Sequence, residues 1–188
     1  MKNSFFNLNR RVFSTKLSSI FKYSDPSNPK VFLKIAKGDS EIGQLVFELY
    51  KNKCPKTVDN FLKICSGDNI NKICYKSSSF NKIISGFMAQ GGRLKNNSPS
   101  ELETCFPDEN LNLKHHKRGL LTMDNDGSDT NYSRFMVTFD ETPWLDGYHV
   151  VFGELVEGEN VLKEIENNAS YDGKPKANIK ITDCGNLI

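Results

Sequence analysis

The sequence predicts a mainly β domain, a closed antiparallel barrel with helices over its ends. Three observations carry this. Apolar and β-branched residues fall in many short runs separated by turn residues, only two stretches show helical periodicity, and 188 residues suffice for one domain with a sizeable core but would cramp two. The hydrophobic fraction of 37% beside 26% charged residues is that of an ordinary globular chain, and no run approaches the roughly 18 apolar residues of a spanning helix. A membrane-embedded protein is therefore not expected. The formal charge of +2 is nearly balanced and its basic residues are scattered, so no nucleic-acid partner is implied.

Residues 1–29 stand apart. Lys2, Arg10, Arg11, Lys16 and Lys22 all precede the first acid, Asp25, among serines, asparagines and isolated apolar residues. That composition predicts either a mitochondrial transit peptide or a disordered basic extension, the second leaving the protein in the cytoplasm. Ser24–Pro29 reads as a linker into a domain covering 30–188.

Within that domain, Val31–Ile35 and Gly43–Leu49 alternate as strands around a turn at Lys37–Ser40. Pro55 opens a helix whose Val58, Phe61, Leu62 and Cys65 form one apolar stripe, stopped by Ser66-Gly67. Phe80–Gly92 reads as strand, Ser-Gly turn, strand and glycine bend, with Met88 and Gln90 on one face. Lys95–Glu103 is a polar loop. Strands follow at Gly119–Met123, Arg134–Phe139 and Val150–Leu155, then a helix at Glu159–Asn167 and a closing strand at Ile179–Thr182. The five cysteines are odd in number and form no Cys-x-x-Cys pair, which argues for a reducing compartment and against a disulfide framework or zinc site. His149 has no second histidine or acid at ligand spacing, so no metal is expected, and His115-His116 reads as a surface pair.

The motif Phe80-x-x-Ile-Ile-x-Gly-Phe-Met-x-Gln-Gly-Gly92 resembles the central signature of the cyclophilins, the β-barrel peptidyl-prolyl cis-trans isomerases. Gly119–Met123 with Asn125, Ser133-x-Phe135, Trp144–Gly153 and Asp183-Cys184-Gly185 are similar to that family in the same order, from about Val31 to Leu187. The resemblance implies an eight-stranded barrel capped by two helices, no cofactor, and a monomer acting on proline-containing polypeptides. It also implies a proline pocket of Phe87, Met88, Leu145 and His149, with Met136 where the family usually has phenylalanine. Gln90 and the backbone of Asn125 would hold substrate amides, and Trp144 would flank the groove.

Three departures bear on the chemistry that the resemblance implies. Lys82 stands where the family has its catalytic arginine, Arg134 replaces a glutamine, and Asp124 and Asp126 replace the alanines beside Asn125. Lysine keeps a positive donor but loses the planar fork, so reduced isomerase activity is expected. Alternation puts Arg134 on the face of Met136, where it can partly replace what Lys82 lacks, with Asp124 or Asp126 as counter-ion. The catalytic group is thus expected to be Lys82, Gln90 and Arg134. Cyclosporin binding is expected but weak, because these charges line the rim. The alternative function is a proline-recognising binding module or chaperone with little isomerase activity.

Overall fold

The computed structural model describes residues 23–69, 72–94 and 105–187. The strands are β1 (Lys30–Lys37), β2 (Ser40–Leu49), β3 (Lys82–Ile84), β4 (Met88–Gly91), β5 (Leu120–Met123), β6 (Phe135–Thr138), β7 (Val151–Glu157) and β8 (Ile179–Leu187). The helices are α1 (Pro55–Ser66) and α2 (Glu159–Asn167), with a 3-10 turn at Pro143–Leu145. All strand pairs are antiparallel, in the order β3-β4-β6-β5-β7-β2-β1-β8. The sheet curls until its two ends meet. No β3–β8 ladder closes it; the chain just before β3 does, through Ser77 N–H to Ile181 O (2.7 Å), Ile181 N–H to Ser78 O (2.8 Å) and Phe80 N–H to Ile179 O (2.9 Å).

Alternation explains the strands. In β1, Val31, Leu33 and Ile35 are fully buried while Phe32 and Lys34 between them are not. One inward row runs Ile83, Ala89, Val137, Leu121 across β3, β4, β6 and β5, all fully buried. The barrel interior is packed with rings: Phe61 of α1 meets Phe152 at 5.1 Å and Phe135 at 5.5 Å between centroids. These rings occupy the space between the sheet and α1, and the residues singled out in the sequence lie on the outward face of the strands.

The expected helix after Pro55 forms, and Gly67 ends it in the left-handed conformation (φ 69°). Its N-terminus is capped from a distance. Glu109 accepts from Lys56 N–H (2.9 Å), Thr57 N–H (2.8 Å) and the Thr57 hydroxyl (2.9 Å), placing a carboxylate where the helix dipole favours it. The stretch read as a linker is tied to the barrel. Buried Glu48 accepts from Ser24 Oγ (2.9 Å), Asp25 N–H (2.8 Å) and Asn28 Nδ2 (2.9 Å), and the Tyr23 ring packs edge-on to Tyr50. Most of the basic leader and the Lys95–Glu103 loop lie outside the described residues.

The surface reading of His115-His116 is corrected. His115 is 1% exposed, its Nδ1–H donating to Asp146 Oδ1 (2.8 Å) and its Nε2 lying 3.1 Å from Thr122 Oγ, while His116 is half-buried. A polar residue with a carboxylate and a hydroxyl in reach costs little to bury, and spacing along the chain does not reveal such partners.

Candidate functional site

The outward face of β3, β4, β6 and β5 carries the residues singled out in the sequence. Lys82 opposes Gln90, Gln90 opposes Met136, and Met136 opposes Thr122, so these four side chains form one row across the strands. The next row along carries Ile84, Met88 and Thr138. Met88, Met136 and Leu145 form an apolar group separate from the barrel core, with Ile84 and Phe87 packed against it. The Trp144 ring, 58% exposed, tilts against Phe87 with centroids 5.6 Å apart. A shallow apolar surface therefore abuts an amide at Gln90 and an ammonium at Lys82.

Two contacts hold the hairpin that carries Phe87 and Met88. Glu166 of α2 accepts from Gly86 N–H (2.9 Å) at its turn, and Arg118 in turn donates to Glu166 (2.6 Å). Phe139 N–H donates to Phe87 O (2.8 Å). Neither Glu166 nor Arg118 was singled out in the sequence, because nothing local links residues 118 and 166 to the turn at Gly86.

Arg134 pairs with both aspartates. Its Nε lies 3.0 Å from Asp124 Oδ2, and its Nη2 contacts Asp126 Oδ1 at 2.7 Å without hydrogen-bond alignment. The Asp124–Arg134 pair is nearly enclosed, at 12% and 10% side-chain exposure, whereas Asp126 is 71% exposed. Gln90 Nε2 donates to the same Asp124 oxygen. A carboxylate only accepts, so the Gln90 amide nitrogen is committed to Asp124 and its carbonyl oxygen is the end left for another donor. Arg134 is thus occupied by its counter-ions, although its side chain also lines the cleft beside Lys82.

The remaining residues frame the surface. Asn125 donates from Nδ2 to Tyr148 O (2.9 Å) and accepts from Gly127 N–H at Oδ1 (3.3 Å), which engages both ends of its side-chain amide within the loop. His149 Nδ1–H donates to Met123 O (3.0 Å), fixing the ring and leaving Nε2 as the acceptor of the neutral form. Lys82 runs along the turn after α2. Ile83 N–H donates to Gly173 O (2.8 Å), and a Cβ on Gly173 would stand 3.2 Å from Lys82 Cγ and 3.4 Å from Cε. Only glycine, here at φ +82°, lets the lysine stem lie so close to that backbone. Among the described residues no group of three or more His, Cys, Asp or Glu is arranged to hold a metal ion, and no helix is long and apolar enough to cross a membrane.

Comparison with known proteins places this geometry. Residues 32–186 match the family model for cyclophilin-type peptidyl-prolyl cis-trans isomerases. Peptidyl-prolyl cis-trans isomerase D of Kluyveromyces lactis is 42% identical over 173 residues, an alignment covering 86% of this chain and 46% of that relative. The chain thus spans about half the length of the curated relative it matches. With the motifs, the eight-stranded barrel and a family match over most of its length in agreement, the chain belongs to the cyclophilin-type peptidyl-prolyl cis-trans isomerase family.

Proposed function

We propose that this protein catalyses cis–trans rotation about X-Pro peptide bonds and so assists the folding of proline-containing polypeptides. The barrier, about 18–20 kcal/mol, comes from the partial double bond of the amide. No covalent step is required. The catalyst must hold the proline ring and favour the twisted amide, in which nitrogen has regained a lone pair that a donor can meet. The observation that supports this reading is the apolar group of Met88, Met136 and Leu145 standing on the same outward face as Lys82 and Gln90.

In this mechanism the proline ring rests on Met88, Met136 and Leu145, against Phe87 and His149, with Trp144 at the rim. The Gln90 carbonyl accepts a substrate N–H, an orientation set by Asp124. The Asn125 backbone holds a second substrate amide. The Lys82 ammonium supplies the hydrogen bond to the pyramidal nitrogen, with Arg134 held behind it by its aspartates. One donor that approaches a single acceptor stabilises the twisted state less than a planar fork does, so the activity is reduced relative to an arginine-bearing relative.

The test is two-dimensional exchange NMR on an X-Pro peptide with substoichiometric protein. Cross-peaks between cis and trans resonances that appear only with the protein are the expected result. Peptide binding without exchange would instead assign the chain to proline recognition alone. The proposal extends to location and drug binding: the basic leader, free of acids before Asp25, supports import into mitochondria, and the same apolar surface supports weak cyclosporin binding. A reporter fused to residues 1–29 should reach mitochondria, and one that stays cytosolic would remove the targeting reading.

A further inference from the structure

We infer that the cleft beside Lys82 and Gln90 is a subsite for an acidic side chain of the substrate, so that glutamate or aspartate within one or two residues of the proline is preferred. The inference rests on the isomerase reading above for the position of the proline. The cleft has a volume of about 310 Å³, and Lys82, Arg93, Arg134, Lys174 and Asp172 are its charged lining residues. Counting the two aspartates that hold Arg134, four cations face three carboxylates, an excess of one positive charge.

The hydrogen-bonding capacity is more one-sided than the charge. Asp172 accepts from the Ser170 hydroxyl and from Lys174 N–H (3.1 Å) within its own turn, Asp124 is shared by Arg134 and Gln90, and Asp126 is ion-paired with Arg134. Lys82, Arg93 and Lys174 have no ion-pair partner among the described residues. The cleft therefore offers unmatched charged donors while its carboxylates are engaged, and the Gln90 carbonyl is left to a substrate N–H, an arrangement that suits a carboxylate side chain. The glycine at 173 lets the Lys82 stem lie along one wall.

Reach is sufficient. Gln90 lines the cleft and is the cross-strand neighbour of Met136 in the apolar group, and opposed side chains stand about 5 Å apart. An extended substrate advances roughly 3.3 Å per residue, so a side chain one or two positions from the proline arrives at the cleft. Exposed charge pairs are individually weak, and two or three of them together give a preference of roughly 3- to 10-fold.

The experiment uses peptides identical except for Glu, Gln, Lys or phosphoserine placed one or two residues to either side of a single proline. Dissociation constants come from amide shifts of the ¹⁵N-labelled full chain, read at Gly91 and Gly173. The Glu peptide should bind roughly 3- to 10-fold more tightly than Gln at low salt, with Lys weakest, and the differences should shrink in 0.5 M NaCl, a concentration on the order of that which collapses the Debye length to a few ångströms. Arg93→Glu with Lys174→Glu should reverse the order, the Lys peptide then binding more tightly than the Glu peptide. Both side chains are exposed, and Arg93→Gln with Lys174→Gln serves as the milder pair that abolishes the preference. Equal affinities for Glu and Gln peptides, a preference untouched by these variants, or selectivity for phosphoserine alone would each overturn the inference. Exchange on the Gln peptide is read separately, so its failure would count against catalysis and not against the subsite.

Discussion

Asp124→Ala removes the acceptor shared by Arg134 and Gln90, and its consequence is calculable. Breaking a fully buried ion pair by deleting one partner costs about 3–5 kcal/mol, because the other charge is left without compensation. Here the side chains retain 10% and 12% exposure and Arg134 keeps its contact to Asp126, so the loss should be smaller, about 2 kcal/mol. Arg134→Gln alone strands Asp124 with the Gln90 amide as its remaining donor and should cost about 1 kcal/mol. The double variant removes both charges and should lose less than the sum of the singles, giving a coupling energy of at least about 1 kcal/mol. Urea denaturation of the four proteins at low and high salt measures it. A coupling within about 0.3 kcal/mol of zero would show that the pair is screened by water and that the enclosed geometry contributes nothing. Asp124→Ala also frees the Gln90 amide to turn over, so KM for an X-Pro peptide should rise more than kcat falls.

Lys82→Arg should raise kcat/KM in a protease-coupled isomerase assay by restoring the fork, by less than the roughly 10²-fold that loss of a whole donor costs; an equal or slower variant would reassign the donor role to Arg134. Burial lowers the pKa of His115 below its ordinary 6.5 against the opposing pull of Asp146, and burial lowers that of His116 too. The unfolded chain therefore takes up protons first, so stability should fall as pH drops below about 6.5, by at most about 1.4 kcal/mol per pH unit per histidine. Thermal denaturation from pH 8 to 5 checks this, with His115→Gln flattening the slope; a level profile would contradict it. Glu48 is separate: burial opposes its ionisation, but hydrogen bonds from Asn28, Asp25 and Ser24 outweigh it and hold its pKa below 4.5, so the stability it confers is lost only in stronger acid. For cyclosporin, Arg134 and Asp124 neutralise each other, and the penalty falls on Asp126, which the ligand would cover. That costs about 1–3 kcal/mol, nearer the low end for a group 71% exposed, so calorimetry should show Asp126→Ala binding roughly 5- to 10-fold more tightly. Nanomolar affinity of the unmodified protein would mean that Asp126 faces solvent in the complex.

The fold was legible in the sequence because its signals are local. Alternation in Val31–Ile35, the Pro55 start and Gly67 stop of α1, and the Ser85-Gly86 turn each act within a few residues, and backbone sterics and burial read them the same way in any context. The apolar group was legible through the order of its motifs, since Met88 and Gln90 share a face by strand period alone. What the sequence left open is every contact that joins distant residues. Glu109 capping α1, Glu48 gathering Ser24, Asp25 and Asn28, and Ser77–Phe80 closing the barrel against β8 depend on which segments the tertiary fold makes neighbours. So does the burial of His115, whose partner Asp146 lies 31 residues away. The charged rim shows the division most clearly: residue identity predicted that Asp124 or Asp126 would meet Arg134, but only the tertiary structure enclosed the first, exposed the second, and gave one Asp124 oxygen to both Arg134 and Gln90. Hydrogen-bond direction and dielectric exposure are properties of the assembled surroundings, and a linear sequence does not contain them.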